Sequence, residues 1–568
     1  MINRKEHPRP QFYRKNWLNL NGKWTCEFSK NIKGFSNTKI NKNKFSTNIN
    51  VPFCPESKLS GIGHTDFIQE MYYQRTFTVP KVWKNKKILL HFGGVDYQSS
   101  IFVNKRKAGS NTGGSTPFSI DITSSVSLHK ANDLKLYVID KRCQGSLGPT
   151  PWYFGDGTFN NEKLIKKWTL NKKRTQPRGK QSPHQHSWGC FYTRTTGIWQ
   201  TVWLEAVDKI HIKNVDIHSN IKTSHFIFQP LYSSKTQGTL KVDIVFKNKN
   251  INSSTYSTTN KNFRIKIKNP KLWSIGKPNL YDFTFTLMNK NKTTIYDLVK
   301  SYSGMRSIEI KKNKIYLNNK PLYQRLVLDQ GFYPKGIWTA PSDKDLKNDI
   351  ILSMKAGFNG ARLHEKVFES RFHYWADKLG YITWAEFPNW GMNENAKGSE
   401  ISFMREWPRI VKYLKNHPSI ITWTPFNETN TLECNDQHKS LMRKGYAITK
   451  KIDPTRPVNE TSGYQHQKTD IWTVHHYEPI PERLKKALNP KKGVYRNFPH
   501  FETNYKNEPY IIDEYGGVWW LPENLRKKIK SWGHGDKVRP KNINEVYTRM
   551  YDLTKVILQT KHVQGFCY

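Results

Sequence analysis

Two stretches of the chain place carboxylates directly after apolar, β-branched runs. In SIITWTPFNETN (419–430) such a run leads to Asn427 and Glu428, and YIIDEYGG (510–517) contains Glu514. A carboxylate after a buried strand can simply mark the point where the strand leaves the core. Two carboxylates that meet across one pocket can instead perform the acid and nucleophilic chemistry that glycosidic bond cleavage requires. One of them must then hold a proton near neutral pH while the other stays ionised.

Short strand-like runs alternate with amphipathic helical patterns after Tyr316, which predicts βα units and a parallel sheet. The candidate strands are 322–328, 358–362, 381–386, 419–428, 456–461, 471–476, 510–514 and 564–568. Eight such units in this length are typical of a (β/α)8 barrel, whose reactive groups lie at the carboxyl ends of the strands. Glu428 would close the fourth strand and Glu514 the seventh, so both would face one pocket.

The chain before the barrel reads as β-structure throughout. From about residue 12 to 206, short β-branched and aromatic runs alternate with Gly, Pro and Asn turns, which predicts an all-β sandwich. A polar stretch from about Gln144 to Lys180 interrupts this pattern and is interpreted as an insertion in a long loop. Residues 207 to about 305 suit one further immunoglobulin-like sandwich.

The composition favours a carbohydrate protein over a nucleic-acid-binding one. The 568 residues include 19 Trp, and flat aromatic faces are surfaces on which sugar rings stack, although Trp also commonly fills large cores and sandwich domains. The formal net charge of +47 would attract anions, but the lysines are scattered among asparagines rather than gathered in one patch. No nucleic-acid-binding motif accompanies them. We therefore predict no nucleic-acid partner, while an acidic substrate stays open.

Cellular location is inferred from cysteine usage and from the amino terminus. The six cysteines are far apart and form no disulfide-dense pattern, which fits a reducing compartment or buried thiols. The amino terminus has no apolar core of a signal peptide, and no long apolar span occurs anywhere. These features predict a cytoplasmic protein that does not associate with membranes.

An ordered series of motifs gives the chain a family resemblance. They include WLNLNGKW (17–24), HFGGVDYQSSIFVN (91–104), TGIWQTVWLE (196–205), NHPSIITWTPFNE (416–428) and IIDEYGG (511–517). Over nearly its whole length the sequence resembles family 2 of the glycoside hydrolases, which includes β-galactosidases, β-glucuronidases and β-mannosidases. The resemblance implies a jelly-roll sandwich (1–206), an immunoglobulin-like sandwich (207–305) and a catalytic TIM barrel (306–568).

The same resemblance implies roles for four residues of the barrel. Glu428 would be the general acid/base, and Glu514 the nucleophile of a retaining mechanism, with the carboxyl groups about 5 Å apart. Asn427 would hydrogen-bond the sugar 2-hydroxyl. Tyr477 would donate a hydrogen bond to the nucleophile and keep it ionised. Asp513, which neighbours the nucleophile on the strand, is expected to face the other way and to act as support.

Further substrate-binding candidates lie near the other strand ends. Family members commonly have Arg, two residues and then His, but here only Leu363 separates the pair, so the sequence departs from the family pattern at the histidine. The alternatives are a satisfied core histidine for His475 and His476, a framework role for Glu386 and Asp329, and simple packing for Trp519 and Trp520. The candidates are Arg362, His364, His475, His476, Glu386, Asp329, Trp519 and Trp520.

The resemblance leaves the substrate open. A terminal β-galactoside is our first expectation, and a β-glucuronide or another anionic sugar is the alternative, which the positive charge favours. A carbohydrate-binding protein without turnover is the rival from another class. Some relatives use a divalent ion, but no ligand cluster in this sequence compels one, so we predict no metal and no cofactor. The state of association is not determined, and a homo-oligomer stays open.

The last residues, QGFCY, correspond in the family to the beginning of the eighth strand only. The barrel is therefore expected to be incomplete at strand and helix 8. Because a parallel strand is normally covered on both faces, apolar side chains on the first and seventh barrel helices should be exposed. We expect the isolated chain to aggregate or to have weak activity.

Overall fold

The computed structural model describes most of the chain. The described residues are 4–141, 174–182, 185–187, 189–429, 434–526, 533–535 and 538–568. Residues 144–173 of the predicted polar insertion lie outside them. The predicted three-part architecture of jelly roll, immunoglobulin-like sandwich and TIM barrel is confirmed.

The first part is a sandwich of two antiparallel sheets. Its elements are β1 (Trp17–Asn19), β2 (Gly22–Ser29), α1 (Asn37–Asn41), β3 (Thr47–Val51), β4 (Glu70–Thr78), β5 (Lys87–Phe92), β6 (Val95–Asp96), β7 (Gln98–Val103), β8 (Arg106–Thr112), β9 (Phe118–Asp121), β10 (Ala131–Ile139), β11 (Gly197–Ile198) and β12 (Val202–Val207). The sheet orders are β1-β12-β5-β9 and β3-β2-β4-β10-β7-β8, and β6 pairs with β11. Alternate residues of β5 are buried, as expected for a strand with one face on the core.

The second part is a smaller sandwich with an aromatic core. Its strands are β13 (Ile212–Asn220), β14 (His225–Tyr232), β15 (Gly238–Phe246), β16 (Lys249–Ser257), β17 (Phe263–Lys266), β18 (Trp273–Ser274), β19 (Lys277–Pro278), β20 (Tyr281–Asn289) and β21 (Ile295–Ser303). Sheet β13-β14-β17 packs on sheet β16-β15-β20-β21. Edge-to-face contacts of Phe228 with Phe283 and Phe285 join the sheets.

The third part is the barrel, entered through a short antiparallel sheet. That sheet comprises β22 (Ile308–Lys311), β23 (Lys314–Leu317) and β24 (Lys320–Pro321). The barrel strands are β25 (Gln324–Asp329), β26 (Gly360–Leu363), β27 (Ile382–Glu386), β28 (Ile420–Thr424), β29 (Phe426–Asn427), β30 (Thr461–Ser462), β31 (Trp472–His475), β32 (Tyr510–Glu514) and β33 (Val563–Cys567). Seven of them form one sheet in the order β28-β27-β26-β25-β33-β32-β31, and β30 joins through parallel pairing with β29.

The fifth strand is shorter in the structure than the predicted range of 456–461. Only Thr461 and Ser462 form a regular strand, because Pro457 has no N–H to donate to a ladder. The segment still runs beside the fourth strand: Val458 forms an isolated parallel bridge with Trp423.

Helices cover the outside of the barrel. They are α2 (Asp343–Lys355), α3 (Ser370–Leu379), α4 (Lys397–Leu414), α5 (Asp436–Ile452), α6 (Pro481–Ala487), α7 (Glu523–Arg526) and α8 (Ile543–Gln559). Exposed apolar side chains include Leu352 on α2 and Tyr547, Tyr551 and Leu558 on α8. No helix among the described residues is long and apolar enough to span a membrane.

Strands β27, β28 and β32 are buried along their whole lengths, as is typical of parallel strands covered on both faces. Because the strands run in parallel, their carboxyl ends share one rim of the barrel. This arrangement brings Glu428, which follows β29, and Glu514, which ends β32, to the same rim.

A segment of the jelly-roll part, residues 174–182, packs against the loop that follows β27. Backbone N–H groups of Arg178 and Gly179 donate to the carbonyl oxygen of Trp390 at 2.7 and 3.1 Å. Gly179 has a φ of +57°, and a Cβ there would lie 2.1 Å from the carbonyl oxygen of Glu365. Glycine is therefore required where the two parts meet.

Candidate active site

Glu428 and Glu514 face each other at the carboxyl end of the barrel. Glu428, Glu514 and His475 each place one side-chain atom within 4.8 Å of the other two. Glu428 has a φ of +40°, a left-handed conformation uncommon for a side chain of this size. Its backbone N–H donates to Ser462 O at 3.1 Å, and this bond helps to hold the conformation.

Glu514 lies in a buried and positively charged environment. Its Oε1 is 2.8 Å from Arg362 Nη2, and the Tyr477 hydroxyl donates to its Oε2. Burial alone would raise the pKa of Glu514, but the charges of His475 and Arg362 outweigh burial and hold that pKa well below its usual range. Glu514 is therefore ionised at neutral pH.

His475 bridges the two carboxylates. Its Nδ1 lies 2.6 Å from Glu428 Oε1, and its Nε2 lies 3.4 Å from Glu514 Oε1. Burial lowers the pKa of His475, but the charges of Glu514 and Asp513 raise it above its ordinary value overall. Gly463 makes room for the ring, because a Cβ there would lie 2.1 Å from His475 Cδ2.

Arg362 links the nucleophile candidate to its neighbours. It is fully buried, its Nε donates to Glu386 Oε2 at 2.8 Å, and its Nη2 donates to Asn427 Oδ1 at 2.6 Å. The Asn427 Nδ2 group is buried and has no hydrogen-bond partner among the described residues. Arg362 thus orients Asn427 while the Asn427 Nδ2 group can still donate a hydrogen bond. Glu386, in contrast, already accepts a hydrogen bond from Arg362.

His364 is also oriented with one nitrogen to spare. Its Nδ1 is 2.9 Å from Glu386 Oε1 and 2.7 Å from Arg362 Nη2, while its buried Nε2 has no partner in the described part of the chain. Burial, together with the charges of Lys180 and Arg362, holds the pKa of His364 well below 6.5. The ring is therefore neutral.

His476 and Asp329 do not join this cluster. The His476 ring packs on Tyr495 at 4.4 Å between centroids, because consecutive strand residues point to opposite sides. Asp329 caps its own loop by accepting from Gly331 N at 2.9 Å, and burial raises the pKa of Asp329 to about 6.

The two predicted aromatic-wall residues lie in the loop after β32. Trp519 packs beneath the Arg539 guanidinium, 3.2 Å from the ring centroid, and Trp520 is half-buried. The role of these two residues as an aromatic wall stays a prediction.

The expected orientation of Asp513 is wrong. Its Oδ1 lies 3.4 Å from His475 Nε2, and its Oδ2 accepts from Ser462 Oγ at 2.6 Å. A register shift between β31 and β32 at Val474 and His475 breaks the simple alternation, so that Asp513 and Glu514 both reach His475. Asp513 supports the ring, as expected, but from the same side as Glu514.

Several residues near the site carried no recognisable signal in the sequence. His534 stacks on Tyr477 at 3.4 Å between centroids. Desolvation, together with the nearby charges of Glu428 and Glu514, raises the pKa of the half-buried Tyr464. Lys180 belongs to the stretch interpreted as a loop insertion, and its Nζ lies 3.7 Å from the Trp390 ring centroid. Composition alone gives no means to place such residues beside a distant barrel rim.

The cluster of Glu428, His475 and Glu514 also has the atom types and proximity of a metal site. Its atoms are already engaged with each other, and Glu514 is further held by Arg362 and Tyr477. A cation would have to compete with a guanidinium and a histidine whose pKa is raised. These three side chains fit a hydrogen-bonded pair of carboxyl groups better than a metal site. That the protein needs no metal and no cofactor stays a prediction.

Comparison with protein families matches three consecutive parts of the chain. Residues 19–147 match the sugar binding domain of glycosyl hydrolases family 2, residues 210–306 match the model named for the family itself, and residues 308–519 match its TIM barrel domain. The chain belongs to family 2 of the glycosyl hydrolases. The family resemblance found in the sequence is thereby confirmed.

Curated relatives of this family 2 protein carry two activity names. A putative β-glucuronidase of Formosa agariphila is 27% identical over 465 residues, 76% of this chain and 50% of the relative. A β-galactosidase of Thermoanaerobacterium thermosulfurigenes is 23% identical over 495 residues, 82% of this chain and 61% of the relative. The chain thus spans between half and three-fifths of these two relatives.

Solved structures resemble the family 2 chain over its full length. β-Glucuronidase from Ruminococcus gnavus in complex with D-glucuronic acid has a TM-score of 0.76 at 16% identity, covering 100% of this chain and 93% of that one. β-D-Glucuronidase from Dictyoglomus thermophilum has a TM-score of 0.75 at 18% identity, covering 99% and 91%. At these identities the likeness establishes the fold.

Proposed function

We propose that this protein is a retaining exo-β-glycosidase that hydrolyses terminal β-glycosides through a glycosyl-enzyme intermediate. The observation that carries the proposal is the pairing of Glu428 and Glu514, which place carboxylate oxygens within 4.8 Å of each other at the barrel rim. Retaining enzymes hold their two carboxyl groups about 5 to 5.5 Å apart, whereas inverting enzymes need a wider gap to admit water.

The environments of the pair fit different roles. Glu514 is ionised and held by Arg362 and Tyr477, so it attacks the anomeric carbon and forms the covalent bond. Glu428 is the more exposed, with 18% of its side chain accessible against 6% for Glu514. It therefore faces the leaving group, donates a proton to the departing oxygen, and then takes a proton from the water that cleaves the intermediate.

Two unpartnered nitrogens support binding of the sugar beside this pair. Asn427 Nδ2 is positioned to donate to the 2-hydroxyl, an interaction that strengthens as oxocarbenium character develops. His364 Nε2 provides a second polar contact. Both side chains are fixed by Arg362, so they meet the sugar with little loss of conformational freedom.

The experiment that tests this function combines a substrate panel with product stereochemistry. 4-Nitrophenyl β-galactoside, β-glucuronide, β-glucoside and β-mannoside are each assayed, and proton NMR follows the first anomer formed. We expect turnover of at least one of them with the β-anomer released first, and no turnover of the matched α-glycosides. Release of the α-anomer first would show inversion, and binding without turnover would support a carbohydrate-binding protein.

Tyr477→Phe should reduce kcat/KM by about 10- to 100-fold, the cost of losing one hydrogen bond to a charged group. Phenylalanine keeps the ring that stacks on His534 but lacks the hydroxyl that donates to Glu514. Because this bond stabilises the ionised carboxylate, its removal raises the pKa of Glu514, and the acid limb of kcat/KM should move to higher pH.

The matched control is Tyr495→Phe, whose ring packs on His476. This variant should keep the wild-type pH profile. If Tyr477→Phe lowered activity but left the acid limb in place, Tyr477 would have only a packing role.

A further inference from the structure

A buried lysine of the jelly-roll part lies at the barrel rim. Lys180 is 5% exposed, and its Nζ is 3.7 Å from the Trp390 ring centroid and 3.6 Å from Cys190 Sγ. Among the described residues, no carboxylate oxygen lies within 4.0 Å of this ammonium group, the distance at which an ion pair forms. Its close neighbours are thus an aromatic face and a thiol.

Backbone hydrogen bonds hold Lys180 in this position. The backbone on either side of Lys180 is fixed, since Arg178 N donates to Trp390 O at 2.7 Å and Tyr192 N donates to Lys180 O at 2.8 Å. Burying an ammonium group without a carboxylate partner costs free energy, which an apolar side chain of similar size would avoid. A cation–π contact with Trp390 offsets only part of this cost. A bound anion would give the ammonium group a direct partner and offset more of this cost.

The surroundings place Lys180 beside the proposed sugar site. Trp390 meets the His364 ring edge to face at 6.4 Å, and Lys180 is close enough for its charge to depress the pKa of His364. Burial lowers the pKa of Lys180 in turn, but nearby Cys190, Glu428 and Glu514 raise it above its ordinary value overall. Lys180 and His364 therefore lie on either side of Trp390 at the rim, and His364 Nε2 has no partner among the described residues.

We propose that Lys180 binds an anionic substituent on the sugar that occupies this site. The chemistry is that of a carboxylate or sulfate group, carried by a uronic acid or by a sulfated sugar. This inference rests on the proposed glycosidase function and adds a residue from outside the barrel that determines specificity. The formal net charge of +47 is consistent with it, because such a field attracts anionic substrates.

The test compares Lys180→Gln with wild type on substrates that differ only in charge. One pair is 4-nitrophenyl β-glucuronide and β-glucoside, and the other is β-galactoside 6-sulfate and β-galactoside. We expect kcat/KM to fall by about 10- to 100-fold on the anionic member of one pair, with a much smaller change on its neutral partner. The affected pair identifies the carboxylate or the sulfate. Lys335→Gln, at an exposed lysine of the barrel, should leave kcat/KM unchanged on both pairs.

An equal loss on charged and neutral substrates would overturn the inference and leave the glycosidase function intact. Wild type that turns over neutral glycosides but shows no preference for either anion would also overturn it. If no glycoside is turned over, the proposed function fails, and calorimetry of glucuronate and glucose binding to wild type and Lys180→Gln decides the inference separately. Lys180→Arg, which keeps the charge, should retain anion selectivity, and thermal melting of each variant shows whether it is folded.

Discussion

Glu514→Gln is expected to lower kcat by about 10⁴-fold or more, because the amide cannot attack the anomeric carbon. The substitution keeps the shape of the side chain, so the contacts with Arg362 and Tyr477 change in charge rather than in geometry. Steady-state kinetics on the best substrate of the panel measures the loss. Mass spectrometry of protein treated with a 2-deoxy-2-fluoro glycoside should locate the trapped sugar on the peptide that contains Glu514.

The matched control for this prediction is Glu523→Gln, at an exposed glutamate that begins α7. It should leave kcat and the labelling pattern unchanged. Undiminished turnover by Glu514→Gln, or a label on another residue, would refute the assignment of the nucleophile.

Glu428→Ala should lower kcat by about 10²- to 10⁴-fold, the range for loss of a general acid or base. The loss should be smallest for substrates with good leaving groups, because a departing nitrophenolate needs little protonation. Added azide should restore turnover and yield a β-glycosyl azide, since the small anion occupies the space of the deleted carboxylate and needs no general base. Kinetics over a leaving-group series and analysis of the azide product check both expectations.

Glu482→Ala, at an exposed position of α6, is the control. Its kcat should equal that of wild type for every leaving group, and azide should not increase it. An α-glycosyl azide from Glu428→Ala would instead point to loss of the nucleophile. A uniform loss across the leaving-group series would mean that Glu428 does not protonate the departing oxygen.

The barrel and its carboxylate pair were accessible from the sequence for a physical reason. Buried parallel strands are short, continuous apolar runs, and they end where polar residues begin, so the run before Asn427 and the run before Glu514 could be read directly. The fold then brings their ends together, because parallel strands share a rim. The contact between Glu514 and Tyr477, which the family resemblance implied, is present in the structure.

The features that were missed depend on contacts distant in sequence. The orientation of Asp513 follows from a register shift against a neighbouring strand, which no local period reveals. The place of Lys180 depends on backbone bonds to Trp390, more than two hundred positions away in the numbering. The irregular fifth strand reflects one proline, which the sequence did contain and which argued against a regular ladder there.

The contact between segment 174–182 and the loop after β27 has a consequence for biosynthesis. The segment leaves the ribosome long before its docking surface, because the chain is synthesised from the amino terminus. Domains also fold broadly in that order as the chain grows. Until the third barrel strand and its loop emerge, the segment can form only its contacts within the jelly-roll part, such as the bond from Tyr192 N to Lys180 O. The contact between Lys180 and Trp390 is therefore completed late in synthesis, when the jelly roll meets a barrel that has begun to fold.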